Sequence, residues 1–191
     1  MGKGRIEAFS DGVIAILITI MVLELKTPQG LDLAALRPMI PVLLAYILSF
    51  VVLGIYWNNH HHMFHATERI NGTILWANLH LLFWLSLVPA VTAWIGETGS
   101  APVPTAMYGV VMLMAGVAYY ILTRSLVTFL GPHSAIATAV GKDVKGKISV
   151  LMYAAAIPLA FVSRWIADAI FVSVTLMWLV PDRRIESRMT R

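Results

Sequence analysis

The sequence predicts an all-α protein that crosses a membrane six times, on the grounds of composition, segment length and charge placement. Of the 191 residues, 59% are apolar and 13% are charged, whereas soluble proteins average about 45–50% apolar and about 25% charged residues. A soluble domain of this size has too much surface to cover with so few charges. We therefore expect lipid to solvate much of the chain.

Six segments are long and apolar enough to cross a bilayer. A hydrocarbon core of ~30 Å requires about 20 mostly apolar residues in a helix. The predicted spans cover about 6–25, 38–57, 70–95, 107–129, 148–166 and 167–180. The last two meet at a very short hairpin at Ser163, Arg164 and Trp165. The chain over 1–191 is therefore predicted to form a single transmembrane domain.

The placement of basic residues predicts the orientation of these spans. An even number of spans puts both termini on one side, and lysine and arginine are enriched in cytoplasmic loops. The opposite side has only Lys26, Arg37 and Arg164. We therefore expect a multi-pass protein of the cell membrane with cytoplasmic termini and no nucleic-acid partner. The basic residues on the predicted cytoplasmic side are Lys3, Arg5, Arg69, Arg124, Lys142, Lys145, Lys147, Arg183, Arg184, Arg188 and Arg191.

The sequence gives little support to catalysis. It contains no cysteine, which excludes disulfides, thiolate metal sites and cysteine nucleophiles. A serine–histidine pair, a pair of aspartates or a set of histidine boxes within the bilayer would indicate an intramembrane enzyme, and none is convincing. We expect a protein that is not an enzyme, with no catalytic residue and no cofactor.

The first predicted span carries a stripe of small, branched and hydroxylated side chains. At 100° per residue, Ala8, Gly12, Ile16, Thr19 and Leu23 fall within about 80° of one another. Such a stripe is typical of helix packing in membranes, and it also fits the lining of a pore. Periodicity alone leaves both interpretations open.

Two polar residues of this span point away from the stripe. Ser10 and Asp11 lie on different sides of it, and an acid near a membrane span requires a partner or water. We therefore expect Asp11 to contact neighbouring helices. In the third span, Asn78 also requires a partner, for which a bond between helices is favoured over an ion.

A histidine cluster ends the second span, and three interpretations compete. His61 and His65 have the i,i+4 spacing of two metal ligands, but the chain has only six histidines, too few for an oxygenase set of histidine boxes. The cluster also fits a solvated helix end. Alternatively, His60 or His61 contacts Ser10, Asp11 or Arg5, and histidine titration near neutrality would then affect gating. We expect no obligatory metal.

The start of the first span resembles a known family of channels. Arg5, Phe9, Ser10 and Asp11 match the Arg-x-x-x-Phe-Ser-Asp signature of the transmembrane-protein-175 family, which comprises lysosomal potassium channels and their single-repeat prokaryotic relatives. Looser similarities extend over nearly the whole chain, and Ile14 replaces a more usual phenylalanine.

The resemblance implies a homotetramer with four copies of the first helix around a central pore. Gly12, Ile16, Thr19 and Leu23 would line this pore, with Ile16 as a hydrophobic constriction and Thr19 as a ring of hydroxyls. The carbonyl filter Thr-Val-Gly-Tyr-Gly of other potassium channels does not occur in the chain. The implied function is a potassium-permeable channel of moderate selectivity.

A secondary transporter of a small ion or solute is the alternative function. Transporters place broken helices and coupled charges near the middle of the membrane. This sequence has no charged residue near the centre of a predicted span and no evident paired halves. Both features favour the channel.

Overall fold

The protein is entirely helical over the residues that this computed structural model describes, which are 2–28, 30–67, 69–141 and 143–179. This agrees with the predicted all-α class. The helices are α1 (Lys3–Ile20), α2 (Ile40–His65), α3 (Gly72–Ser86), α4 (Val88–Thr98), α5 (Pro102–Leu130), α6 (Ala135–Val140), α7 (Val144–Leu159) and α8 (Arg164–Leu179). Short 3₁₀ segments, Met21–Glu24 and Leu33–Met39, extend α1 and precede α2.

Four helical segments within the described ranges are long and apolar enough to cross a membrane. They are Lys3–Glu24, Leu33–His65, Gly72–Thr98 and Pro102–Leu130, and they correspond to the first four predicted spans. The remaining long helices, α7 and α8, have 16 residues each. A helix of that length is shorter than the ~17–25 residues that usually cross the hydrocarbon core.

Prolines explain where the observed helices differ from the predicted spans. The third span is bent at Leu87, where α3 gives way to α4, because Pro89 has no N–H to donate to the preceding turn. Proline also lies in the last turn of α7, at Pro158.

The boundary between the last two predicted spans is displaced in the structure. The predicted fifth span ran to 166, but α7 ends at Leu159 and α8 already begins at Arg164. Apolar residues continue through the turn between them, so hydropathy gave no signal for it. The end of the sixth predicted span, at 180, lies outside the described residues. The same is true of five basic residues: Lys142, Arg183, Arg184, Arg188 and Arg191.

The helices form a bundle in which successive long segments run in opposite directions. Helix α1 packs on α2 and α3, α3 packs on α5, and α7 packs on both α5 and α8. At one end, the Lys3 ammonium donates to the carbonyl oxygen of His65 at 2.9 Å. At the other end, Lys26 pairs with Glu97, which raises the pKa of the exposed Lys26.

Glycine allows α2 and α4 to approach closely. A Cβ atom added to Gly96 would lie 2.8 Å from the Cα atom of Val42, which is closer than non-bonded carbon atoms pack. The neighbour is backbone, so it cannot rotate away. The residue at 96 therefore sets the separation of these two helices.

We predict that Gly96→Ala destabilises the protein by about 1–3 kcal/mol, as expected for overpacking. Gly54→Ala is the matched control, since a Cβ atom at Gly54 meets nothing within 4 Å. The control variant should be neutral or slightly stabilised, because alanine favours a helix over glycine. Thermal unfolding of both variants in the same detergent measures the difference. Equal melting temperatures would contradict the proposed contact.

Candidate pore helix and its anchoring network

Helix α1 is buried on one side only. Ile6, Ile14, Leu17 and Met21 of this helix are at most 8% exposed and pack into the core of the bundle. These positions follow the 3.6-residue period, so they form one continuous face. The apolar contacts hold α1 against α2 and α3.

A chain of hydrogen bonds connects that face of α1 to two other helices. The Asn78 amide nitrogen on α3 donates to the hydroxyl of Ser10 on α1 at 2.9 Å. The Asn78 carbonyl oxygen lies 2.8 Å from Nε2 of His60 on α2. All three side chains are almost completely buried. We call Ser10, Asn78 and His60 the anchoring network.

The bonding pattern fixes the tautomer of His60. The Asn78 carbonyl oxygen can only accept, so His60 donates from Nε2. Its Nδ1 atom has no hydrogen-bond partner among the described residues. The imidazole ring stacks on Phe64, with ring centroids 4.5 Å apart. The ring is therefore held by packing on one side and by the amide on the other.

The expected hydrogen bond from Asn78 to another helix is thus present. Sequence reasoning suggested His60 as a partner of Ser10, Asp11 or Arg5, and the structure connects it to Ser10 through Asn78. The signal that identified Asn78 was an amide deep within an apolar span. No local pattern indicates that this amide lies between Ser10 and His60.

Asp11 contacts a neighbouring helix, as expected, but its partner there is Trp57 of α2. The indole N–H of Trp57 donates to the Asp11 carboxylate at 3.0 Å, whereas the sequence suggests His60 or His61 as a partner. The carboxylate is half-buried and outside the fully buried network. The position of Trp57 in the sequence does not indicate a hydrogen bond to Asp11.

His61 lies beside Asp11 and Trp57, outside the anchoring network. We call these three residues and Glu7 the outer layer. The ring of His61 stacks on Trp57, with centroids 5.9 Å apart, and its Nδ1 lies 3.5 Å from a Glu7 carboxylate oxygen. Arg5 is exposed and its side chain has no ion pair within the described part of the chain. Phe9 is 54% exposed, so neither of these two signature residues is buried in the helix bundle.

The residues of the stripe lie on the outer side of α1. Ile16 is 62% exposed and Leu23 is 76% exposed. A Cβ atom at Gly12 would meet open space. The Thr19 hydroxyl lies 3.0 Å from the carbonyl oxygens of Ala15 and Ile16. The other described residues of the chain therefore leave the stripe uncovered.

The histidine cluster offers no metal site in the part of the chain that the structure describes. No group of three histidine, cysteine, aspartate or glutamate side chains there is placed to hold an ion. The rings of His61 and His65 stack, with centroids 6.1 Å apart. Stacked rings do not direct two nitrogens at one ion, so their spacing reflects helix geometry.

Comparison with known proteins identifies the family. The sequence profile of the endosomal/lysosomal potassium channel TMEM175 matches residues 5–89, which include most of α1 and the whole anchoring network. The chain is similar to a protein named as a potassium channel in a Chryseobacterium species, with 50% identity over 99% of this chain and 98% of that protein. It is also similar to a potassium channel of Streptomyces collinus, with 35% identity over 84% of each chain.

A solved structure gives the same result. The crystal structure of a lysosomal potassium-selective channel TMEM175 homologue from Chamaesiphon minutus superposes with a TM-score of 0.82. The two sequences are 30% identical, and the match covers 93% of this chain and 96% of the other. These relatives are named as channels, in agreement with the prediction that the protein is not an enzyme. The chain belongs to the TMEM175 family of channels.

Proposed function

We propose that the protein is a potassium-permeable cation channel of moderate selectivity, formed by four copies of the chain around a pore lined by α1. The observation that carries this proposal is the uncovered stripe on α1, opposite a face that is packed and hydrogen-bonded into the bundle. One helix cannot enclose a pore, whereas four copies of the stripe around an axis can. The potassium-channel names of the bacterial relatives support the permeant ion.

The stripe differs from a surface that faces lipid. The exposed face of α2 consists of large apolar side chains, including Leu44 and Phe50. The stripe on α1 instead combines Gly12 and the hydroxyl of Thr19 with Ile16 and Leu23. Small and hydroxylated residues allow helices to approach closely and offer oxygen atoms to an ion. This composition favours an axial position for α1.

Ile16 is the proposed constriction. Four isoleucine side chains around an axis exclude water, and a hydrophobic constriction gates an ion pathway by dewetting. The Thr19 hydroxyls would lie next to it, and Gly12 and Leu23 would line the wider parts. Selectivity would then come from side chains and pore dimensions, because the sequence has no carbonyl filter. The permeant ion needs no bound cofactor.

The anchoring network has a positioning role in this proposal. Ser10 lies on the face of α1 opposite the stripe, and Asn78 and His60 tie it to α3 and α2. The hydrogen bonds of the network connect the neutral amide of Asn78 to Ser10 and His60. The network lies away from the stripe. It would set the rotation of α1 about its own axis, and therefore which residues face the pore. The exposed Phe9 and Arg5 would be available to an adjacent subunit.

The orientation follows from the charges at the two ends of the bundle. Lys3, Arg5 and Arg69 lie at the end where α1 begins, together with Lys145 and Lys147 at the start of α7. We place this end in the cytoplasm, in a protein of the cell membrane. Helices α7 and α8 would complete the six spans by crossing a locally thinned bilayer, which membranes accommodate at modest cost.

Reconstitution tests the proposed function. We expect purified protein in planar bilayers to give unitary currents, with a reversal potential that follows the potassium gradient and is shifted partly by sodium. Native mass spectrometry should give four subunits. A transporter would give no resolvable unitary currents, because its turnover is orders of magnitude slower. A monomer, or the absence of unitary currents, would contradict the proposal.

We predict that Ile16→Asn raises single-channel conductance severalfold, because an amide in the constriction retains water. Each ~1.4 kcal/mol removed from a barrier increases a rate about tenfold. Leu176→Asn is the matched control, since Leu176 is 57% exposed on α8, a helix remote from α1. The control should leave conductance unchanged. If only the control changes the current, the constriction lies elsewhere.

We predict that Asn78→Ala destabilises the assembled protein by about 2–6 kcal/mol, because both buried partners lose their hydrogen bonds at about 1–3 kcal/mol each. Asn58→Ala is the matched control, since Asn58 is exposed on α2, and it should be near neutral. Melting temperature and reversal potential are measured on the same samples. Channels that survive should keep their ion preference. A stable Asn78 variant with altered selectivity would instead indicate contact with the ion.

A further inference from the structure

A second feature of the molecule lies away from α1. A crevice of about 480 Å³ opens between α2, α5, α7 and α8, and no residue of α1 lines it. This volume is within the ~300–1,000 Å³ that is typical of sites for small ligands. Val52, Val117 and Val150 form part of its apolar wall. Neither the stripe nor the anchoring network contributes to the crevice.

The mouth of the crevice is basic. Lys147 lines it, and its ammonium group is exposed with no ion pair among the described residues. Lys145 lies 5.9 Å from the ring of Trp178, another lining residue. Asp143 also lines the mouth, but its carboxylate accepts from the backbone N–H of Gly146 at 3.1 Å and caps α7. Lys147 is therefore the exposed positive charge of the lining, whereas the lining carboxylate of Asp143 is already hydrogen-bonded.

Tyrosine hydroxyls lie deeper in the crevice. Tyr153 is 5% exposed, and its hydroxyl has no hydrogen-bond partner in the described ranges. The same is true of Tyr56, which is half-buried on the facing helix α2. Both tyrosines line the crevice, so an acceptor on a bound ligand could take a hydrogen bond from each hydroxyl. Tyr153 follows Lys147 by six residues, or about 9 Å along the helix axis.

We propose that this crevice binds an anionic phospholipid of the surrounding membrane. The phosphate would lie at Lys147, the ester carbonyls would accept hydrogen bonds from Tyr153 and Tyr56, and an acyl chain would fill the apolar part. Basic pockets between transmembrane helices bind anionic headgroups in this way. The inference goes beyond the proposed function and does not rest on it, since it concerns binding and not permeation.

Native mass spectrometry of the full-length protein tests the proposal, with dioleoyl phosphatidylglycerol and dioleoyl phosphatidylcholine as probes at equal concentration. We expect tighter binding of phosphatidylglycerol. Lys147→Gln should weaken this binding about fivefold, the effect of one basic residue near an anionic lipid surface. Arg69→Gln is the matched control, because it removes one charge at the same end of the bundle but outside the crevice. The control should bind phosphatidylglycerol as the unaltered protein does.

Two further variants test the interior of the crevice. A Cβ atom at Gly116 would lie 3.5 Å from Val150, an ordinary contact, so Gly116→Leu should extend into the crevice and reduce binding of both lipids. Tyr153→Phe is a milder change that leaves the packing intact. It should weaken ester-linked phosphatidylglycerol but not its ether-linked analogue, because an ether oxygen is a poorer acceptor than an ester carbonyl.

Three results would overturn the proposal. Equal binding of the two dioleoyl lipids would exclude recognition of the anionic headgroup. Unchanged binding of phosphatidylglycerol by both Lys147→Gln and Tyr153→Phe would place the lipid elsewhere. The number of subunits is also compared between lipid-free Lys147→Gln and the lipid-free unaltered protein. A difference would indicate that a second copy of the chain occupies the crevice.

Discussion

The hydrogen bonds from Ser10 through Asn78 to His60 are the interaction on which the arrangement of α1 depends. They join three helices through side chains that are fully enclosed. Apolar contacts alone permit a helix to rotate or slide, since lipid and leucine are equally apolar. Hydrogen bonds between specific buried atoms permit one rotation only, because any other leaves donors and acceptors unpaired. The packed face and the exposed stripe of α1 are therefore set together.

The anchoring network and the crevice involve different sets of helices. Helices α1, α2 and α3 contain the network and the stripe, and the family profile covers this part, over residues 5–89. Helices α5, α7 and α8, together with α2, surround a crevice with a basic mouth. Helix α2 contacts α1 directly, and α3 and α4 each contact both α5 and α1. A ligand in the crevice would therefore act on α1 through these helices.

The polar residues near the start of α1 form two layers that differ in burial. The inner layer is the anchoring network, which is fully enclosed and is joined by hydrogen bonds through a neutral amide. In the outer layer, Asp11 lies against Trp57 and Glu7 lies near His61. The charged carboxylates are thus kept where water can reach them, which avoids the cost of burying an unpaired charge. Asp11 contacts a neighbouring helix, as the sequence predicted, but it does so from the outer layer. The buried central position belongs to the amide of Asn78, which both donates and accepts without carrying a charge.

The sequence alone determined the membrane class, the first four spans, the family resemblance and the stripe from Ala8 to Leu23. Each of these depends on a local signal, such as composition, a run of apolar residues or helical periodicity. It did not determine the partner of Asp11, the turn between α7 and α8, or the crevice that Tyr56 and Tyr153 line. Those features depend on which side chains meet across helices far apart in the chain, and on turns within uninterrupted apolar sequence. Only the tertiary structure decides them, because a hydropathy profile along the chain does not show which residues come into contact.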